Sequence, residues 1–516
     1  MRSATHPRPR TLALAAATVL AATGLTLPLT TAATAAPSAP SAPSAPSAPS
    51  APATAPAPSA PLKADFDGNG YADLAVGVPG GTVDGKAKAG YVSVVFGGPG
   101  GPGSSNVRRI TQATVEVPGT PEAGDRFGAA VTTAYIDDDK YADLVIGAPG
   151  EDIDAKTDAG SVTVLYGTGD GFALANTAAR GAKTGDAYGN ALTAADFTGD
   201  TDVDLAIGGK DQVVFNGNPY AADTSPGLAR RMGGRAPVLT TGDFDSDGLP
   251  ELAVAYYEQS ATRTQSHVQL YRYDKNDEVP DAFDLTWSSD NSAANALAAG
   301  DFNGDGHTDL ALGNCREIAD ENIDDPCGPE ELAEGGGIHI HYGDGDGLVW
   351  EGQTLNQDTP GVPGVAEKGD DFGNALAAAD IDGDGKDDLI AGAPGEAIGS
   401  AARAGAVTVL KGGANGILTE DGRAVGAASY QQNSPGVPGG AEAGDLFGAA
   451  LAFADYNGDG SPDLSAAAPG ENASAGGVWN LPHLATGTQG TTVVTPKSIG
   501  LPASSHPYAY GEALAR

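Results

Sequence analysis

Seven stretches of this 516-residue chain set oxygen-bearing side chains at alternate positions of a nine-residue segment, a spacing suited to gripping a metal cation. The clearest reads Asp65-Phe66-Asp67-Gly68-Asn69-Gly70-Tyr71-Ala72-Asp73. It recurs as Asp243, Asp245, Asp247, Leu249 and Glu251, and as Asp301, Asn303, Asp305, His307 and Asp309. Two more copies hold Asp380, Asp382, Asp384, Lys386 and Asp388, then Asp455, Asn457, Asp459, Ser461 and Asp463. Side chains at positions 1, 3 and 5 converge when the chain turns sharply, and glycine at 6 permits the turn. A backbone carbonyl at 7 (Tyr71, Leu249, His307, Lys386, Ser461) and the acid at 9 complete an oxygen cage of the kind calcium prefers. Magnesium, which holds its waters, fits crowded carboxylates less well. Acids gathered without a cation repel one another, so metal binding and folding are expected to be coupled.

An EF-hand would put an acid at position 12. Here that position is Val76, Val254, Leu312, Ala391 or Ala466, so the EF-hand reading fails. Five loops are therefore expected to hold structural calcium. A sixth, Asp196, Asp200 and Asp204, has lost the glycine and one acid, and calcium there is left open. The seventh starts at Tyr135, keeps Asp137, Asp139 and Asp143, and carries Lys140 at the glycine position. That lysine is read as standing in for the cation, with no calcium expected.

The loops imply the elements around them. Each is followed by a short apolar strand, such as Leu74-Ala-Val-Gly77, Leu144-Val-Ile-Gly147 or Leu389-Ile-Ala-Gly392. An aromatic-glycine pair and small residues precede several of them, as in Phe127-Gly128, Phe372-Gly373 and Phe447-Gly448. β-Branched alternation follows, as in Gly160-Ser-Val-Thr-Val-Leu165, and a fourth strand is expected to finish each unit. Glycine is abundant at 75 residues, which suits many tight turns joining short strands.

Phe-Gly, an Asp-rich loop and then Gly-Ala-Pro (Gly147-Ala148-Pro149, Gly392-Ala393-Pro394) resembles the FG-GAP repeat of integrin α-subunit propellers and their bacterial relatives. The likeness runs over about residues 62–516, although repeat four lacks both flanking motifs and repeat five has Gly313-Asn314-Cys315. It implies an all-β, seven-bladed β-propeller, with the calcium turns on one face and the Phe-Gly and Pro-Gly-Glu loops on the other. The ends support a closed ring independently. Repeat one lacks an aromatic-glycine strand, and the chain finishes on Tyr510-Gly511-Glu-Ala513-Leu514, the missing piece. One blade built from both termini leaves no open edge.

Arg2, Arg8 and Arg10 before an apolar run over Thr11 to Leu29, with Ala33-Thr34-Ala35 after it, read as a signal peptide over 1–35. Residues 36–61 are a Pro-Ser-Ala linker, and 62–516 form the propeller. Without the first 61 residues the chain carries 25 basic and 67 acidic side chains, a charge that repels nucleic acid and anionic membranes. Cys315 and Cys327, the only cysteines, are read as one disulfide formed after export.

The Pro-Gly-Glu turns with Glu151, Glu396 and Glu471 are read as blade-to-blade structure before an acidic ligand face. His339 and His341 share a strand face and are read as structural before metal-binding. Trp287, Trp350 and Trp479 are read as interblade packing before sugar stacking. The leading function is a secreted, monomeric, calcium-binding module for an unknown protein or glycan, without a membrane anchor. The alternative is a secreted hydrolase or lyase acting on polysaccharide or phosphodiester. No Gly-x-Ser-x-Gly or zinc-helix motif favours catalysis, while a carboxylate pair could hide among so many acids.

Overall fold

Strands this short and apolar on both faces cannot stand as one free sheet, and the chain solves this by repetition around a ring. The computed structural model describes residues 64–515 except 104, 223, 230–231, 233–234, 260–263, 274–282, 291–293, 314–334 and 502–507. The expected signal peptide, linker and Cys315–Cys327 disulfide lie outside the described residues. Among those described are seven four-stranded antiparallel sheets within one unit, Ala60–Arg516. Blade two shows the pattern: Val131–Ala134, Asp143–Ala148, Ser161–Thr168 and Gly171–Arg180 pair in chain order. The first strands of neighbouring blades touch one another, which places them at the centre.

Blade one is built from both ends of the chain. Leu74–Val78, Tyr91–Val95 and Val107–Ile110 supply three strands, and Ala513–Leu514 supplies the fourth. The last strand pairs antiparallel with the first, Leu514 opposite Val76 and Ala513 opposite Gly77. The ring therefore closes at seven blades in the way the divided repeat implies. Blades four and five, whose flanking motifs are degraded, are complete as well, with Glu251–Gln259 and Thr264–Tyr273 among the longest strands.

There is no single core. Seven apolar clusters are found, each drawn from one pair of adjacent blades. The aromatic-glycine motif belongs to these boundaries. Phe127, Tyr188, Phe372, Phe447 and Tyr510 each form a parallel bridge to a glycine of the preceding blade, respectively Gly90, Gly160, Gly336, Gly405 and Gly476. Beside four of these pairs two glycines nearly touch. A Cβ on Gly77, Gly147, Gly313 or Gly392 would stand 2.1 Å from the carbonyl oxygen of Gly128, Gly189, Gly373 or Gly448. The glycine of Gly-Ala-Pro is thus set by a neighbouring backbone, not by its own turn.

Tyr510 is fully buried and its hydroxyl lies 3.1 Å from the Ser93 hydroxyl of blade one. Tyr510→Ala is expected to lower stability by about 3–5 kcal/mol, the range for deleting a buried aromatic. Urea midpoints check this, and a loss within 1 kcal/mol (roughly the scale of a surface change) would mean the closing strand contributes little.

Candidate metal centres

Six acidic loops join the first strand of their blade to the second, and the one at Asp65 leads into the second strand of blade one, so the seven turns gather at one end of the ring. Position 2 anchors each: Phe66, Ile136, Phe197, Phe244, Phe302, Ile381 and Tyr456 are all buried. Position 1 then folds the turn onto its carboxylate. Asp301 Oδ1 accepts the N–H groups of Gly304 and Asp305 at 2.7 and 3.1 Å, and Oδ2 accepts that of Gly306 at 2.9 Å. Asp380 and Asp455 repeat the pattern. The N–H of position 7 donates to position 5, as from Tyr71 to Asn69, Leu249 to Asp247, His307 to Asp305, Lys386 to Asp384 and Ser461 to Asp459. Gly70, Gly248, Gly306, Gly385 and Gly460 at position 6 have φ of 84–91°, and a Cβ there would meet nothing within 4 Å. Handedness alone requires glycine at that point.

Position 9 opens the second strand and sits deepest. Asp309 Oδ2 accepts the Phe302 N–H at 2.8 Å and Oδ1 the Gly343 N–H at 2.9 Å, tying the turn to the end of the third strand. Asp73 binds Phe66 and Gly97 in the same way. Burial pushes the Asp73 carboxyl up to about 8, and Glu251, Asp309 and Asp463 up to about 7. Each is held in a place that disfavours its own charge, and a divalent cation among the carboxylates would reverse that.

The turns are also linked to each other. The Tyr71 ring lies over Gly458 of blade seven, Tyr141 over Gly68, Leu249 over Gly199 and Lys386 over Gly304, so a Cβ on those glycines would sit 2.5–2.8 Å from the neighbour's side chain. His307 Nδ1 meets Ser246 Oγ at 2.7 Å in the same relation. The position 8 N–H groups of Ala72, Ala142 and Asp387 donate to the position 1 carbonyls of Asp455, Asp65 and Asp301 at 2.8–3.0 Å. Position 4, where Gly68, Gly199, Gly304, Gly383 and Gly458 stand, was no part of the sequence argument. The repeated glycine was the available signal.

The donor sets fit a cation unevenly. Carboxylates of Asp65, Asp67 and Asp73 come within 4.8 Å of one another, as do those of Asp243, Asp245 and Glu251 and those of Asp380, Asp382 and Asp384. Asp243 Oδ1 and Glu251 Oε1 are buried with no hydrogen-bond partner. In loop three Thr201 takes φ of 80° where glycine is missing, Asp196 binds the N–H groups of Gly199, Asp200 and Thr201, and both Thr198 Oγ1 and Asp204 Oδ1 are buried and unpartnered. Loop two differs from its expected form. Lys140 is not among the residues with positive φ, and its ammonium lies 4.6 Å from the centre of the Tyr141 ring, not among the acids. Three cations do reach acids of the turns: Arg272 Nη1 is 2.9 Å from Asp245, Lys411 Nζ is 3.0 Å from Asp382 and 3.1 Å from Asp388, and Lys386 Nζ is 3.2 Å from Asp384.

Because successive strands are antiparallel, the Pro-Gly-Glu turns lie at the other end of the blades. Gln112, Gln357 and Gln432 donate to Glu151, Glu396 and Glu471 of the next blade, so these glutamates are blade-to-blade ties. Trp479 is buried and donates to the Pro438 carbonyl. His339 and His341 rings stand 4.4 Å apart and bond Thr354 and Val349, and among the described residues no metal-binding group includes them. Trp287 is buried against His341, whereas Trp350 is 66 % exposed.

Comparison with known proteins matches this pattern. The FG-GAP repeat profile covers residues 57–95, 127–165, 372–410 and 447–481, and an FG-GAP-like profile covers 216–312. The phosphatidylinositol-glycan-specific phospholipase D of Bos taurus is 33% identical over 152 residues, 29% of this chain and 18% of that protein. Its Rattus norvegicus counterpart is 35% identical over 147 residues, 28% and 17% of the two chains. Integrin alpha-PS2 of Drosophila melanogaster is 31% identical over 175 residues, 31% of this chain and 12% of the integrin. The chain thus spans less than a fifth of each relative. Among solved structures an α-L-arabinofuranosidase of Fusarium graminearum aligns over 72% of this chain and 93% of its own, at 10% identity and a TM-score of 0.35. A score that low says nothing about function.

Raised carboxyl pKa values make the folded, cation-free protein bind more protons than the unfolded chain between the ordinary value near 4 and about 7. Stability present below that window is lost as the pH rises through it. In chelator the wild type is expected to lose stability relative to Asp309→Asn from about pH 4 to 7. Urea midpoints across that range read the gap, and a gap that is constant or widens toward acid contradicts the charge picture.

Proposed function

Since the chain belongs to the FG-GAP repeat family of β-propellers, we propose that it is an extracellular, calcium-stiffened binding module for a protein or glycan. The observation that carries this reading is that the recurring acids are committed to the fold. Those of the turns bind their own backbone, and Glu151, Glu396 and Glu471 bind the neighbouring blade. Binding then falls to the region where the repeat is least regular, blades four and five, whose outer strands expose Leu285 and Trp350.

Calcium supports the ring in this proposal. The five turns starting at Asp65, Asp243, Asp301, Asp380 and Asp455 each take one ion. The turn with Asp196, Asp200 and Asp204 takes a sixth, supported by its unpartnered Thr198 and Asp204 oxygens. An ion in each turn supplies the positive charge that buried position 9 acids call for. Integrin alpha-PS2 and the phospholipase D suggest two uses of such a ring, adhesion or service to an enzyme, and the chain's own surface favours binding.

Equilibrium dialysis is expected to find six bound calcium ions, and a chelator is expected to lower the melting temperature. Asp382→Ala is expected to cost less than removing all calcium. An unchanged melting temperature in chelator would remove calcium from the account. On glycan arrays and in pull-downs the protein is expected to bind saturably without turnover, and Trp350→Ala to weaken binding at least about tenfold at unchanged stability, the scale of one lost aromatic contact. Turnover of polysaccharide or phosphodiester, abolished by a single carboxylate substitution, would favour the enzyme reading.

A further inference from the structure

The acidic turns are not equally charged, and the difference coincides with where cations stand. Turns one, five and seven each combine three carboxylates with one asparagine, at Asn69, Asn303 and Asn457. Turns four and six carry a fourth carboxylate instead: Asp243, Asp245, Asp247 and Glu251, and Asp380, Asp382, Asp384 and Asp388. Those are the two turns reached by a basic side chain from their own third strand. Arg272 Nη1 lies 2.9 Å from Asp245 Oδ2 and 3.9 Å from Asp247 Oδ2. Lys411 Nζ bridges Asp382 and Asp388 at 3.0 and 3.1 Å. Among the described residues no lysine or arginine pairs with an acid of turns one, five or seven.

The two cations occupy one place in the blade. Tyr271 lies opposite Leu252 and Leu410 opposite Leu389, as Val95 lies opposite Leu74, Leu165 opposite Leu144 and His341 opposite Leu310. The next residue is Arg272 or Lys411 in blades four and six, but Phe96, Tyr166 or Tyr342 in blades one, two and five. The same place holds Gly217 and Pro482 in blades three and seven, so it is basic only where the turn carries a fourth acid. In turn four a cation site remains after Arg272 is satisfied. Glu251 is 1 % exposed, its Oε1 has no partner, and it faces Asp243 and Asp245, whose Asp243 Oδ1 is also unpartnered.

We infer that Arg272 is a resident counter-charge that cancels the fourth carboxylate of turn four, keeps that turn at the net charge of turns one, five and seven, and so sets its calcium affinity, and that Lys411, together with Lys386 at 3.2 Å from Asp384, offsets the fourth carboxylate of turn six. The inference rests on the calcium reading above. Without the arginine, turn four would hold calcium more tightly and tolerate its absence worse. The resident cation keeps the turn closed when calcium is scarce.

The test uses the full chain, with calcium competed against a fluorescent chelating dye. Arg272→Gln is expected to tighten one site by at least about tenfold, the effect of a unit charge roughly 6 Å from a dication at the dielectric of bulk water and a lower bound beside a protein. The same variant is expected to melt below wild type in chelator. Arg272→Gln/Asp245→Asn, which gives turn four the asparagine of turns five and seven, is expected to restore both values. Lys411→Gln and Lys411→Gln/Asp382→Asn provide the same comparison in turn six should the first pair fail to fold. Wild-type affinity and chelator stability in Arg272→Gln, or a double variant no closer to wild type than the single one, would overturn the inference. If the wild type binds no calcium, the calcium reading falls and the chelator melting comparison alone decides the counter-charge role.

Discussion

A sheet of five-residue strands with apolar side chains on both faces is unstable until both faces are covered, and this constraint governs the molecule. Each blade supplies half of two clusters and owns none, so no blade has an interior until its neighbours are in place. Small repeats that cannot bury their own faces must stack, and stacking in a circle removes the exposed ends. The close backbone contacts follow from it. Blades can wedge together only where nothing projects, which is why Gly77 faces the carbonyl oxygen of Gly128 and Gly392 that of Gly448.

The same packing explains why carboxylates lie so deep. A turn that must be tight at the crowded end of a blade has few ways to satisfy its backbone N–H groups, and an aspartate at its first position satisfies three at once. The position 9 acid does similar work between strands. These uses demand negative charge where burial resists it. The turns thus hold more negative charge than their surroundings favour, and in turns four and six a resident arginine or lysine offsets part of it.

Much of this was readable in the chain. Blade number, the location of the turns between the first and second strands, and closure through Tyr510 and Gly511 all followed from local pattern, because each depends on residues close in sequence or on a plainly missing piece. Glycine at position 6 was legible since the turn itself demands left-handed backbone. Glycine at position 4 was not, because the demand comes from the next blade, as when Tyr141 lies across Gly68. Arg272 and Lys411 were illegible for a related reason: they meet their acids through register across two strands, 27 residues away for Arg272 and Asp245. Lys140 misled because charge was weighed without the competing attraction of the Tyr141 ring.

The partnership of Ala513–Leu514 with Leu74–Val78 has a temporal side. The blade that holds Leu74–Val78 is the last that can be finished, because its inner strand, Ala513–Leu514, is made after every strand of the other six. Until then the inner edge of Leu74–Val78 stays unpaired and the whole annulus lacks its clasp. Loss of the segment holding Ala513 and Leu514 therefore leaves an open edge and not a slightly smaller domain. In such a circle one blade waits on all the others, because its two halves lie on either side of them in the chain.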